Sequence, residues 1–265
     1  MFWINPAYRP LLTASSLDSY EAIAAWNPTD DFIAKQGRST GRYRIEVGGR
    51  GMNLYVKKHM RLSWWQRKFA AAKTFPGPSE QANIERVAAL GVRVPETIFA
   101  GADGAATCAS LFATRALDGY SPLHLYIAGP LAKLSADARR RRKQALVRRL
   151  VDIGRRLHDA RLYHRDFYLC HFYLRDDADC EDGFDLVLID LGRLLESRLS
   201  RWKIKDLAGL LFSSEVAGVT KTDRMRFFKQ YAGIAKLDAG AKRLARRIEA
   251  KAERYRRHND VSRAA

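Results

Sequence analysis

Acidic residues are scarce in this chain: 29 Asp and Glu stand against 47 Lys and Arg, a formal net charge of +18. Cysteine is scarcer still. Cys108, Cys170 and Cys180 make an odd count with no zinc-type spacing, which argues against a disulfide scaffold or a structural zinc site and suits a reducing compartment. No uninterrupted apolar run approaches the roughly 18 residues that would cross a bilayer. Residues 1–10 lack the basic stretch and apolar run of a secretory signal, so none is expected there. Internal repeats and low-complexity tracts are absent, which excludes solenoid and fibrous classes.

What is present is a chain of 265 residues, 47% of them hydrophobic, long enough for two lobes or one large folded domain. The positive charge is concentrated. Residues 133–156 carry a net +8 and residues 221–265 a net +9, together +17 of the +18. Such a distribution suits a polyanionic partner: a membrane face, an anionic glycolipid, nucleic acid or an acidic protein. The plainer alternative is a set of solvated helix faces. No nucleic-acid-binding motif accompanies the charge, so a nucleic-acid partner is not expected.

The stretch Tyr163-His164-Arg165-Asp166-Phe167-Tyr168-Leu169-Cys170-His171-Phe172-Tyr173-Leu174 reads as a catalytic loop closed by a short apolar strand. Leu186-Val187-Leu188-Ile189-Asp190-Leu191-Gly192-Arg193 follows, a buried strand ending in Asp-x-Gly. Alone, a His-Arg-Asp tripeptide is weak. Together the two segments supply what phosphoryl transfer needs: one carboxylate to take the proton of the attacking hydroxyl, and one to hold Mg²⁺ against the nucleotide phosphates. The bland alternative makes Asp166 and Asp190 ordinary turn residues. Cys170, inside the loop, is expected to be a small buried packing residue.

Upstream, residues 31–58 read as a β-meander. Gly37 to Gly41 would make a turn where a kinase lobe covers phosphates, and Gly48-Gly49 a plain hairpin turn. Lys57 ends an apolar strand as in the V-A-I-K pattern, with Lys58 its rival; pattern alone does not settle which faces the nucleotide. A helix is expected after Pro76-Gly77-Pro78, with Ser79 as N-cap, Glu80 in the first turn and Gly91 as stop. Glu80 either suits the helix dipole or pairs with Lys57. Residues 92–100 and 109–114 read as strands, and Arg115 to Gly119 as a hinge. Helices are expected over 138–158, from Arg201, and over roughly 222–232 and 239–257. His158 is expected to cap or pack. The role of residues 1–30 is not readable beyond a short helical stretch at Tyr20–Trp26.

Over roughly residues 30–232 the chain resembles the lipopolysaccharide core kinases of Gram-negative bacteria, the heptose and Kdo kinases. The resemblance rests on His164-Arg165-Asp166-Phe167-Tyr168-Leu169-Cys170-His171-Phe172, Ile189-Asp190-Leu191-Gly192-Arg193, and Arg201-Trp202-Lys203-Ile204-Lys205-Asp206-Leu207 with Phe212-Ser213-Ser214. It implies a two-lobed protein-kinase-like α+β fold, with a β-rich lobe over about 1–114 and a helical lobe over 120–265. It implies ATP and Mg²⁺ as cofactors and transfer to an inner-core sugar on a lipid A-linked core, with heptose foremost. Asp166 is the implied base, with Arg165 beside it in the catalytic set. Lys57 and Glu80, with Gly37 and Gly41, are the implied nucleotide-binding residues. Asp190 is the implied metal ligand, and Asp206 the acid that braces the loop. His171 stands where most protein kinases have Asn and is either a metal ligand or a positioning residue. Two departures bear on the acceptor: Phe167 where closer heptose kinases tend to have Cys, and Gly192 where a His is common. The implied setting is cytoplasmic, peripheral on the anionic inner membrane. The rival readings are a protein kinase and a catalytically silent, basic membrane-docking pseudokinase.

Overall fold

The period-two alternation of residues 38–60 becomes a long hairpin: β3 (Arg38–Val47) and β4 (Arg50–Met60) pair antiparallel through the Gly48-Gly49 turn. In β3, Tyr43 and Ile45 are buried while Arg44 and Glu46 are exposed. In β4, Leu54, Val56 and Lys58 are buried, with Tyr55 and Lys57 on the opposite side of the pleat. The computed structural model describes residues 1–35, 37–60, 75–103 and 108–264; most of the aromatic-rich stretch 60–75 lies outside them.

The described residues divide into two compact units, residues 1–89 with 94–118, and residues 90–93 with 119–265. The first is built on a six-stranded antiparallel sheet in the order β1-β5-β6-β4-β3-β2. Besides the hairpin it contains β1 (Phe2–Ile4), the exposed edge strand β2 (Asp30–Lys35), β5 (Thr97–Ala102) and β6 (Cys108–Arg115). The N-terminal residues have a structural part here. Strand β1 pairs with β5, and the short helices α1 (Arg9–Ala14) and α2 (Tyr20–Ala25) bring Leu12, Tyr20 and Ile23 into a core with Tyr43, Leu54 and Phe99. Each such aliphatic or aromatic side chain contributes about 1.5–3 kcal/mol by leaving water. Helix α3 (Pro76–Ala89) packs on strands β4, β5 and β6.

Several boundaries differ from expectation. The helix begins at Pro76 rather than after the Pro-Gly-Pro, because proline suits a first turn whose N–H groups lack helical acceptors. Gly77 N–H is satisfied instead by Ser110 Oγ at 2.7 Å. Ser79 is therefore inside the helix, not its cap, and Glu80 lies beyond the first turn. Strand β5 starts at Thr97, not residue 92. Pro95 has no N–H for a ladder, and the Arg93 carbonyl accepts from Leu188 N instead, at 2.9 Å.

In the second unit, β7 (Ser121–Pro122), β9 (Phe172–Asp176) and β10 (Phe184–Leu188) form a three-stranded sheet. Strands β8 (Leu162–Tyr163) and β11 (Leu195–Glu196) form a pair. Five helices follow the chain: α4 (Leu123–Ala128), α5 (Ala136–Asp159), α6 (Arg201–Ser213), α7 (Lys221–Ala232) and α8 (Ala239–Ala264). Val147, Val151, Ile204, Leu207, Tyr231, Ile248 and Ala252 make a core shared by α5 to α8. Part of the basic stretch on α5 is neutralised within the fold. Arg142 pairs with Asp176, Lys143 with Asp223, and Arg148 and Arg149 with Asp182. On α8, Arg243, Arg246 and Arg247 are exposed and have no ion pair among the described residues.

Candidate active site

In the sheet unit, the pleat of β4 decides between the two lysines. Lys57 faces α3, where its Nζ lies 2.7 Å from Glu80 Oε1; the glutamate side chain is only 4% exposed. Lys58 points the other way. Its ammonium donates to the carbonyls of Ala24 and Trp26 and sits 5.3 Å from the Tyr43 ring centre, tying α2 to the sheet. Gly37 occupies the turn between β2 and β3 with φ +75°. Gly41 is not part of that turn. It is a β3 residue paired with Val56, and a Cβ there would stand 2.8 Å from Pro28 Cβ. The close approach of Pro28 accounts for this glycine within its own unit.

In the helical unit, β8 leads into His164-Arg165-Asp166, and the loop is held by its backbone. Asp206 on α6 is fully buried and accepts from His164 N at 2.8 Å and Arg165 N at 2.7 Å. Arg165 is in the left-handed region at φ 72°. That conformation costs about 1–3 kcal/mol and is offset by hydrogen bonds to a charged acceptor. Behind Asp206, His158 Nε2 lies 3.2 Å from Oδ2 and His158 Nδ1 lies 2.7 Å from the Tyr231 hydroxyl. Burial pushes the Tyr231 pKa up, which keeps the phenol protonated. The consistent tautomer has the phenol donating to Nδ1 and Nε2–H donating to the carboxylate.

Two contacts tie the loop to the strand end bearing Asp190. His164 Nε2 lies 2.9 Å from the Ile189 carbonyl, and Ile189 N donates to the His171 carbonyl at 2.9 Å. Burial pushes the His164 pKa down, so its neutral ring donates through Nε2. Asp190 itself is left-handed at φ 60°, which turns the chain out of the strand line. His171 Nδ1 lies 2.6 Å from the Asp166 carbonyl, and its Nε2 lies 3.8 Å from Asp190 Oδ2. Burial pulls the His171 pKa down. The Cys170 side chain, the Asp166 carbonyl and the Asp190 charge outweigh it and lift the value to about 9. Cys170 is exposed rather than buried as expected; on the turn Leu169–His171, it is Leu169 that fills the interior.

The Asp166 carboxylate receives Arg193 Nη1 at 3.1 and 2.9 Å from its two oxygens. Arg165 does not touch it; that guanidinium lies 5.2 Å over the Trp202 ring. No cluster of three or more His, Cys, Asp or Glu side chains able to enclose a metal occurs among the described residues. A Mg²⁺ held by one carboxylate plus substrate phosphates and water needs no such cluster, so Asp190 fits it. Pattern reasoning missed Arg193 and Tyr231. Their only signals were an arginine three residues past Asp190 and an aromatic on the inner face of a basic helix.

A lysine oriented by a helix glutamate, a braced His-Arg-Asp loop and a strand-end aspartate are the parts of a phosphotransferase of the protein-kinase-like class. Comparison with known proteins narrows the class. Residues 26–231 match the model of the lipopolysaccharide kinase (Kdo/WaaP) family. The chain is 32% identical to the lipopolysaccharide core heptose(I) kinase WaaP of Pseudomonas aeruginosa over 231 residues, 78% of this chain and 82% of the relative. It is 40% identical to WaaP of Escherichia coli K12 over 95 residues, 35% of this chain and 36% of that one. Among solved structures, WaaP in complex with acyl carrier protein superposes with a TM-score of 0.67 at 28% identity, covering 96% of this chain and 98% of that one. The chain belongs to the lipopolysaccharide kinase (Kdo/WaaP) family.

Proposed function

We propose that the protein transfers the γ-phosphoryl group of ATP to a heptose hydroxyl of the lipopolysaccharide inner core. Supporting this most directly is the tie between the two carboxylate-bearing segments, with His164 Nε2 2.9 Å from the Ile189 carbonyl while Asp206 clamps the loop from behind. In this reading Asp166 accepts the proton as the acceptor oxygen attacks the γ-phosphorus. The new P–O bond forms, the bond to the bridging oxygen breaks, and ADP leaves. Lys57, oriented by Glu80, binds the nucleotide phosphates, and the turn at Gly37 covers them. Asp190 would hold Mg²⁺, which supplies neutralisation of phosphate charge. His171 holds the Asp166 backbone through Nδ1, which favours positioning over ligation as its part.

We place this activity in a Gram-negative cell at the cytoplasmic face of the inner membrane. The net charge of +18 and the exposed arginines of α8 support docking on anionic lipid. No helix among the described residues is long and apolar enough to cross a membrane. An acidic protein partner is a further part of the proposal, supported by the WaaP structure solved with acyl carrier protein. Absence of co-elution and of any thermal shift with that carrier protein would remove this part.

The deciding experiment incubates the purified protein with labelled ATP and core oligosaccharides of defined length, then locates the phosphate by mass spectrometry. Label on a heptose hydroxyl is the expected result. Label on the protein or a peptide alone would support a protein kinase, and no transfer at all a silent one.

A further inference from the structure

The ion pair at the catalytic loop works against the chemistry as it stands. Arg193 Nη1 engages both oxygens of Asp166, at 3.1 and 2.9 Å. A hydroxyl that is to give its proton to that carboxylate must share or displace the contact. The Arg193 side chain is 57% exposed and the Asp166 side chain 15%, so the guanidinium end is open to solvent. A competing anion can reach the guanidinium from solvent.

Further cations stand near Trp202, with the buried Asp206 among them. Arg165, Arg201 and Lys205 stand 5.2, 4.9 and 5.8 Å from the Trp202 ring. Arg165 Nε is buried, with no hydrogen-bond partner among the described residues. Burial and the charges of Arg193 and Arg165 lower the Lys205 pKa against the pull of Asp166 and Asp206. An oxyanion brought beside the acceptor hydroxyl would compete with Asp166 for Arg193, the cation already in contact there.

We propose that Arg193 is a specificity-determining residue that reads an oxyanion of the acceptor. A carboxylate or phosphate adjacent to the target hydroxyl takes over the guanidinium, and Asp166 is released to receive the proton. A neutral sugar leaves the Asp166–Arg193 pair closed. The proposal rests on the sugar-kinase reading above and narrows it to acidic acceptors.

The test compares the wild type, Arg193→Lys and Arg193→Gln on four core oligosaccharides: untreated, with sugar-acid carboxylates methyl-esterified, with phosphates removed, and with both treatments. The wild type should prefer the untreated acceptor over the relevant neutralised one by about tenfold or more in kcat/KM, the scale of one charge-assisted hydrogen bond. The treatment that abolishes the preference identifies the oxyanion. Arg193→Gln should erase the preference while the KM for ATP stays within about twofold, and Arg193→Lys should restore part of it as a point charge without the planar fork. An unchanged acceptor ratio in Arg193→Gln overturns the proposal, as does a wild type indifferent to both treatments. A wild type that transfers to no oligosaccharide overturns the sugar-kinase reading and this inference with it. Transfer with an unchanged ratio overturns the Arg193 assignment alone.

Discussion

The two units fix their functional groups by different means. In the sheet unit a side chain holds a side chain: Lys57 is aimed by Glu80, and both stand on regular elements. In the helical unit a buried side chain holds a backbone: Asp206 takes the N–H groups of His164 and Arg165. The difference follows from local geometry. A strand and a helix are already rigid, so a charge on them needs only direction. The catalytic loop contains a left-handed non-glycine residue, Arg165; Arg161 just before β8 and Asp190 at the neighbouring strand end are two more. Such backbone persists only where its surroundings over-determine it.

The sharpest break in this comparison is on the loop side. Asp166→Asn leaves the backbone clamp intact and should retain nucleotide binding, yet lower turnover by at least about a hundredfold, the scale of a lost general base. Single-turnover phosphate transfer with a correctly folded variant checks it, and near-normal turnover would return Asp166 to a turn residue.

On the sheet side, exchanging neighbours should separate function from architecture. Lys57→Met should lower turnover by about tenfold or more through loss of a phosphate-directed charge. Lys58→Met should leave turnover per folded molecule near wild type and lower the melting temperature, because two partly buried carbonyls lose a charged donor, at about 1–3 kcal/mol. Activity and thermal melts run on both variants decide it; the reverse ranking would exchange the two roles.

The smallest expected effect on chemistry lies farthest along the chain. Reversing Arg243, Arg246 and Arg247 to Glu should weaken binding to anionic vesicles, most visibly at low salt, while phosphorylation of a short soluble acceptor stays within about twofold, because exposed charges act over roughly 8 Å at physiological salt. Vesicle co-sedimentation across a salt series beside the soluble assay separates the two. Unchanged vesicle binding would make that face simply solvated.

How much of this was legible in the sequence also differs between the units. The hairpin and its two lysines followed from alternation, but the pattern could not say which face α3 would cover; that was settled by packing against β4, β5 and β6. The loop motif was plain from residue types, and Asp206 came with the resemblance. Gly41 looked like a turn residue because glycine spacing carries no information about a chain segment 13 positions earlier, where Pro28 closes on it. The Pro-Gly-Pro looked like a break for a similar reason, since the acceptor Ser110 Oγ that lets the helix start there lies on a distant strand. Arg193 and Tyr231 were missed because their partners are 27 and 73 residues away.

The hydrogen-bonded series from the loop through Asp206 and His158 ends at Tyr231, on α7. Residue 231 is also the last one matched by the family model. That series lies within the matched residues, but α8 also reaches the loop, where Tyr255 packs against Tyr168 with 6.4 Å between ring centres. Beyond residue 231, α8 buries Ile248 and Ala252, while Arg243, Arg246 and Arg247 lie on its exposed side. The charge on that exposed side can therefore be changed without breaking any hydrogen bond that holds the loop.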